Sequence, residues 1–271
     1  DDKADKFFGV SYSLYGIAMA LFLGRMYARL TPGWRNLQAD DYTMIVCVIC
    51  ITFSQAIATV AVQTGFGEHA QFLPPDSLEE IIRLNVISGI SWTWGITFLK
   101  ISVTFMLLRI TIDRFWQYGL YFAMLVIMAT GVAATVLQVI MCDPLSALWD
   151  ASISLDHCWS QKTMAQNVYI GSVVFAVTDV IYSILPINVV RKIKRPLREK
   201  ILLCCLMGIG LAASAAAIRK MVMAKQKYVS EVDFTWYMID FTLWALIESH
   251  IGIVAGCVPC LRSPVEKLLH R

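Results

Sequence analysis

The stretch 234–260, FTWYMIDFTLWALIESHIGIVAGCVPC, is long enough to cross a bilayer, for which about 20 apolar residues suffice. It also carries Asp240, Glu248 and His250. Ionisable groups at that depth are costly and usually face a protein interior or a cavity. Trp236, Asp240, Trp244 and Glu248 follow one another at i, i+4 spacing, so on a helix they climb one slowly drifting stripe. The segment reads as a membrane helix forming one wall of a pocket inside a bundle. His250 lies about 200° around that helix from Glu248 and is expected to hydrogen-bond a different neighbouring helix.

The rest of the chain repeats the apolar pattern. Of 271 residues, 58% are hydrophobic and only 16% charged, where a soluble domain usually carries about a quarter charged residues. Seven apolar blocks separate, at about 8–30, 43–64, 81–109, 116–141, 163–190, 201–224 and 235–260. None alternates like a strand, and helix is the open-ended structure that satisfies its own backbone in lipid. The expected fold is all-α, a single seven-transmembrane helix bundle spanning 1–271. The polar start DDKADK (1–6) is assigned no structure.

Orientation follows from Lys and Arg near the span ends. One side gathers Arg25, Arg29, Arg35, Arg109, Arg114, the six bases of RKIKRPLREK (191–200), Arg262, Lys267 and Arg271, fourteen in all; the other gathers five. The bias predicts an outside N-terminus and a cytosolic C-terminus. Asp40 and Asp41, just before the second block, suit a helix start, where acids meet the positive end of the macrodipole. The loop GFGEHAQFLPP (65–75) has Gly65 and Gly67 for turns and sets Glu68 and His69 at the pocket mouth.

Cys142 and Cys158 both fall on the predicted outer side, where an oxidising environment permits a disulfide. The other six cysteines sit at inner helix ends and read as packing residues, so no metal site is expected.

Lys100, Asp179 and Glu248 lie about ten to twelve residues from the inner ends of the third, fifth and seventh blocks. At 1.5 Å per residue that is about 15–18 Å deep for each, near the bilayer midplane. The shared level predicts a buried polar clasp among the three. Arg219 and Asp240 match at a higher level, where an ion pair could orient the polar group of a ligand. Trp92, Trp236 and Trp244 are read as aromatic walls of the same hollow.

The motifs resemble the fungal rhodopsin-like seven-transmembrane family, a group of receptor-like and satratoxin-cluster-related membrane proteins. The matching pieces, in order, are Arg29 followed by Asp40-Asp41, GFGEH (65–69), KISVTFMLLRI (100–110), and CDPLSALW (142–149) with Cys158. Asp179 with Pro186, Lys200 to Gly208 with Arg219, WALIE (244–248) and CVPCLRSP (257–264) complete the set. The resemblance implies an integral, multi-pass membrane protein. A retinal pump is not expected, because no lysine lies between Lys227 and Lys267 to form a Schiff base.

The leading expectation is a receptor-like protein. A small lipophilic ligand would stack on Trp92, Trp236 and Trp244 and present a polar group to Asp240 or Arg219. Occupancy would shift the Lys100–Asp179–Glu248 clasp and, through it, a cytosolic signalling partner at the inner ends. The alternative is a membrane-embedded cyclase or isomerase of fungal secondary metabolism, with Asp240 or Glu248 as catalytic acid and cations held by ring faces. Beyond the lipid bilayer and the ligand or substrate, neither reading calls for a cofactor, a metal or nucleic acid.

Overall fold

The computed structural model describes residues 3–30, 37–111, 113–150, most of 152–178, and 234–269. Among these, regular structure is helical: α1 (Ala4–Leu30), α2 (Ala39–Gln63), α3 (Pro75–Ile110), α4 (Arg114–Val139) and α5 (Phe234–Leu269), with single 3-10 turns at Ala70–Phe72 and Leu145–Leu148. All five long helices contain a stretch long and apolar enough to cross a membrane. They cover the predicted blocks 8–30, 43–64, 81–109, 116–141 and 235–260. The block 163–190 lies partly within the described residues, which are helical as far as Thr178. The block 201–224 lies outside them.

The helices begin earlier than the apolar blocks. α1 starts at Ala4, α2 at Ala39 and α3 at Pro75. Hydropathy marks only the lipid-embedded part, whereas a helix goes on to recruit acids into its first turn. Asp5, Asp40, Asp41 and Asp76 all occupy such positions, where they complement the macrodipole. Pro75 opens α3, at the site where a missing N–H costs nothing.

α3 is the central helix and α4 the peripheral one: 61% of the apolar window of α3 is buried, against 17% for α4. α2 packs along α3, and α1 lies chiefly against α5 instead of its sequence neighbour α2. Two apolar layers result. One gathers Phe7, Ala61, Phe66, Ile81, Ile239 and Leu246. The other gathers Phe22, Met44, Ile51, Leu99, Ile253 and Cys257. Cys47 and Cys257 are fully buried in the second layer and serve as small hydrophobes. Gly256 lets α5 approach α2 closely, since a Cβ there would lie 2.6 Å from Met44 Cε.

Beyond α4, Cys142 and Cys158 are joined by a disulfide across a sequence separation of 16, as the spacing and side had predicted. Trp159 N–H donates to the Met141 carbonyl beside it at 3.0 Å.

Candidate functional site

At one end of α5 a small polar and aromatic cluster is assembled from three segments. The loop after α2 turns through Gly65 and Gly67, at φ 111° and 112°, a left-handed region that glycine enters without penalty. The turn drives Phe66 into the apolar layer, where it is 2% exposed. It also aims the Glu68 carbonyl at Thr235, whose hydroxyl donates to it at 2.7 Å. His69 then stacks on Trp236, with ring centroids 4.4 Å apart and planes 11° from parallel.

Lys3 reaches the same tryptophan from the start of α1. Its ammonium lies 4.0 Å from the Trp236 ring centroid, a cation–π distance. It donates to the Trp236 carbonyl at 2.9 Å and to Asp240 Oδ2 at 2.7 Å. The Lys3 and Asp240 side chains are 21% and 18% exposed. This ion pair was invisible in the sequence reading, which gave residues 1–6 no structure and matched Asp240 with Arg219. Arg219 lies outside the described residues.

Deeper along α5, Trp92 of α3 donates its indole N–H to the Ala245 carbonyl at 2.9 Å. Ala245 lies nine residues beyond Trp236, about 13 Å further along the helix. The three tryptophans expected around one hollow are therefore at two levels. Trp236 belongs to the end cluster, and Trp92 meets α5 beside Trp244 and Glu248. Trp244 is half-buried and Glu248 is buried, at 2% exposure.

Lys100 also points into protein. It is buried, and its ammonium donates to Thr178 Oγ1 at 2.7 Å and to the Phe175 carbonyl at 3.4 Å. The same ammonium lies 5.1 Å from the Phe175 ring, whose edge contacts Trp92 at 5.9 Å between centroids. Lys100 thus holds the residue that precedes Asp179. Asp179 itself lies outside the described residues.

His250 departs from expectation. It is fully buried, yet neither ring nitrogen has a hydrogen-bond partner among the described residues. Its ring instead meets Tyr15 edge-on, at 5.7 Å between centroids. Around it α1 and α2 present Ala18, Phe22 and Ile51, which cannot hydrogen-bond, and the hydroxyls of Tyr15 and Thr52, which meet each other at 3.3 Å.

Among the described residues, the opposite end holds the densest charge. Arg25, 1% exposed, donates through Nη2 to Asp40 Oδ2 at 2.7 Å and to Asp41 Oδ1 at 2.8 Å. Its Nε bonds Asp41 Oδ1 at 3.0 Å, and its Nη1 bonds the Gly256 carbonyl of α5 at 2.8 Å. Arg109 of α3 donates to Asp40 Oδ1 at 2.6 Å, while Arg29 lies 3.5–3.6 Å from both carboxylates. Ser102 donates to the Asp40 carbonyl at 2.6 Å, and Asp41 Oδ2 accepts the Gln38 N–H at 3.2 Å. Four helices are tied at one point. From the sequence, Asp40 and Asp41 read as a helix start, the arginines as orientation signals, and Arg29 with Asp40-Asp41 as a piece of the family resemblance, without a contact between them. The missed signal was the spacing of Arg25 and Arg29, one turn apart on one helix face, ahead of two consecutive acids.

The sequence profile of the fungal rhodopsin domain matches residues 24–267. The chain belongs to the fungal rhodopsin family. The match begins just before Arg25, so the fungal rhodopsin domain contains every member of the buried charge knot but not Lys3. Among fungal relatives, the chain is 25% identical over 279 aligned positions to the polyenoic acids biosynthesis gene cluster protein Ba17b of Metarhizium anisopliae, covering 98% of this chain and 74% of that protein. It is 25% identical over 195 positions to the fugralins biosynthesis cluster protein 2 of Gibberella zeae, covering 68% of this chain and 47% of the relative. It is 21% identical over 189 positions to the receptor GIN3 of Arthrobotrys oligospora, covering 69% and 44%. The chain thus spans less than half the length of the latter two. No solved structure matches it.

Proposed function

We propose that this fungal rhodopsin-family protein is a receptor-like seven-helix membrane protein, with its N-terminus outside and its C-terminus cytosolic, that binds a small lipophilic ligand near the outer end of α5. One observation carries the reading. Trp236 and Asp240, one turn apart, are engaged by Lys3 and His69 from two other segments at a partly exposed end of the bundle. A ligand with an aromatic or unsaturated face and one polar group would exchange for these contacts, with Trp244 and Trp92 further along the path and Arg219 as a second polar contact.

α5 is one continuous helix from Trp236 to Gly256, and the Gly256 carbonyl is bonded by Arg25. A tilt of α5 at the ligand end therefore reaches the charge knot, passing Glu248 on the way. The ligand must favour one helix arrangement over the other, since equal affinity for both shifts nothing. A receptor among the relatives supports this reading. Membranes carrying the protein, incubated with labelled polyprenyl and polyketide precursors, are expected to show saturable binding without turnover. Loss of that binding in the triple variant Trp236→Ala, Asp240→Asn, Trp244→Ala supports the site; binding that survives all three ends the proposal.

A second reading is favoured by two relatives that carry biosynthesis-cluster names and by the burial of Glu248. In it the protein is a membrane-embedded cyclase or isomerase, with Asp240 or Glu248 donating the proton. The same incubation separates the two. Product formation abolished by Asp240→Asn or Glu248→Gln identifies the enzyme.

A further inference from the structure

Three electron-rich groups of α5 meet the Lys3 ammonium: Asp240 Oδ2 at 2.7 Å, the Trp236 carbonyl at 2.9 Å, and the Trp236 ring at 4.0 Å to its centroid. A carboxylate and a carbonyl accept hydrogen bonds and donate none. A ring face carries the negative part of the aromatic quadrupole. The combination suits a cation that also donates. A hydroxyl has one hydrogen to offer two acceptors, and an anion would meet Asp240 as a like charge.

The occupant is held lightly. The Lys3 and Asp240 side chains are 21% and 18% exposed, and an ion pair with access to water contributes little. The Lys3 main chain is fixed separately, since its carbonyl accepts the Phe7 N–H at 3.0 Å. The ammonium can therefore leave on its four-carbon side chain while α1 stays intact. Beside the indole, an aromatic column extends into the loop 65–75. His69 stacks on Trp236 at 4.4 Å between centroids, and Phe72 meets His69 edge-on at 6.5 Å. Phe72 is 76% exposed, which leaves apolar surface for the body of a second molecule.

We propose that the Trp236–Asp240 end of α5 recognises a lipophilic primary amine, and that Lys3 is a tethered stand-in which such a ligand displaces. The inference rests on the receptor reading above and names its ligand class. The ammonium sits on Asp240 and Trp236, and the apolar body lies along His69 and Phe72. An alkylamine is protonated at neutral pH, as a lysine side chain is with its pKa of about 10.4, so it arrives as the same ion that Lys3 presents. Displacement exchanges one ammonium for another. Affinity then comes from the apolar area that the body covers, and selectivity from the charge-assisted hydrogen bonds of the head. Polyprenyl and polyketide precursors share only the apolar body and should bind the same site more weakly.

The test uses the full chain in phosphatidylcholine nanodiscs at neutral pH with phenylbutylamine bearing a photoreactive diazirine, alongside the alcohol and the carboxylic acid of the same skeleton. The amine is expected to label peptides from 65–75 and 234–248 about tenfold more than the alcohol, the order of one charge-assisted hydrogen bond, and the acid is expected to label least. Asp240→Asn, which keeps the size of the side chain but removes its charge, should bring the amine down to the level of the alcohol. Lys3→Ala should raise amine labelling severalfold, because the tethered competitor is gone. Suppose the alcohol or the acid labels as strongly as the amine, and the Trp236→Ala, Asp240→Asn, Trp244→Ala triple variant abolishes that labelling. The amine assignment is then overturned while the receptor site stands. Labelling that survives the triple variant, or no labelling by any probe, removes the site and this inference with it. An amine preference unchanged by Asp240→Asn, or amine labelling that falls in Lys3→Ala, also overturns the proposal.

Discussion

At the Gly256 end of α5, Asp40 and Asp41 are 1% and 0% exposed, and three arginines surround them. At the Trp236 end, Asp240 has an ion pair with Lys3, with both side chains about one-fifth exposed. The Asp40 and Asp41 carboxylates are shared among α1, α2 and α3, and the same Arg25 continues to the α5 backbone. The Asp240 carboxylate is bonded by Lys3, the residue just ahead of α1 and outside the matched family domain. Charge buried at many contacts holds an arrangement, because every alternative leaves some ion dry and unbonded. Charge that keeps water access gives up its partner cheaply. One helix thus joins an end built to stay to an end built to exchange.

The strongest way to break this comparison is at the Gly256 end. Asp41→Ala leaves Arg25 buried with half of its carboxylate partners and should cost about 3–5 kcal/mol, read as a large fall in thermal midpoint in detergent or nanodisc. Removing both partners, Arg25→Met with Asp41→Leu, should cost clearly less than the sum of the single losses, because neither variant then strands a charge. Additive losses would mean that the two side chains act separately, and the knot would lose its standing as a unit.

Next in size is the backbone contact beside the knot. Gly256 sits where a Cβ would meet the Met44 terminal methyl at 2.6 Å. Gly256→Leu inserts a whole side chain there and displaces the carbonyl that Arg25 holds, so a loss of about 1–3 kcal/mol is expected from overpacking. Gly256→Ala should cost less, because the end of a methionine can swing aside. Equal midpoints for the wild type and the leucine variant would show that α5 is not tightly seated on α2 at this level, and the mechanical path to the charge knot would be gone.

How much of this could be read beforehand differs between the two ends. The helices were legible because lipid demands continuous apolar runs, and Cys142–Cys158 because both cysteines fall on one side. Burial of Lys100 was legible too, since an ammonium in mid-span has nowhere else to go. The knot was not, because its members sit at span ends, where Arg and Asp already have ordinary explanations as orientation signals and helix caps. Their convergence depends on α1, α2, α3 and α5 meeting at one point, which no single segment encodes. Lys3 was hidden for a similar reason: DDKADK reads as a solvated start, and only the packing of α1 on α5 brings it to Asp240. Trp92 meets α5 at Ala245, between Trp244 and Glu248 and so within the length of the stripe that runs from Trp236.

The smallest expected effect sharpens the comparison most. Lys3→Ala removes an ion pair with access to water, and exposed pairs contribute about 0.2–1 kcal/mol, so the thermal midpoint should barely move. Raising the salt concentration should mimic the variant, since screening acts on charges that solvent reaches and much less on the buried knot. What should change is ligand binding. With Lys3 gone, Asp240 and one contact of Trp236 are released, and a ligand no longer has to displace the ammonium. Binding at the proposed Trp236–Asp240 site should therefore tighten severalfold if the ligand's polar group is a donor to Asp240. It should weaken if the ligand instead uses Lys3 as its own partner. A large drop in midpoint from Lys3→Ala would show that the Lys3–Asp240 pair holds the fold as the knot around Arg25 does, and the contrast between the two ends of α5 would disappear.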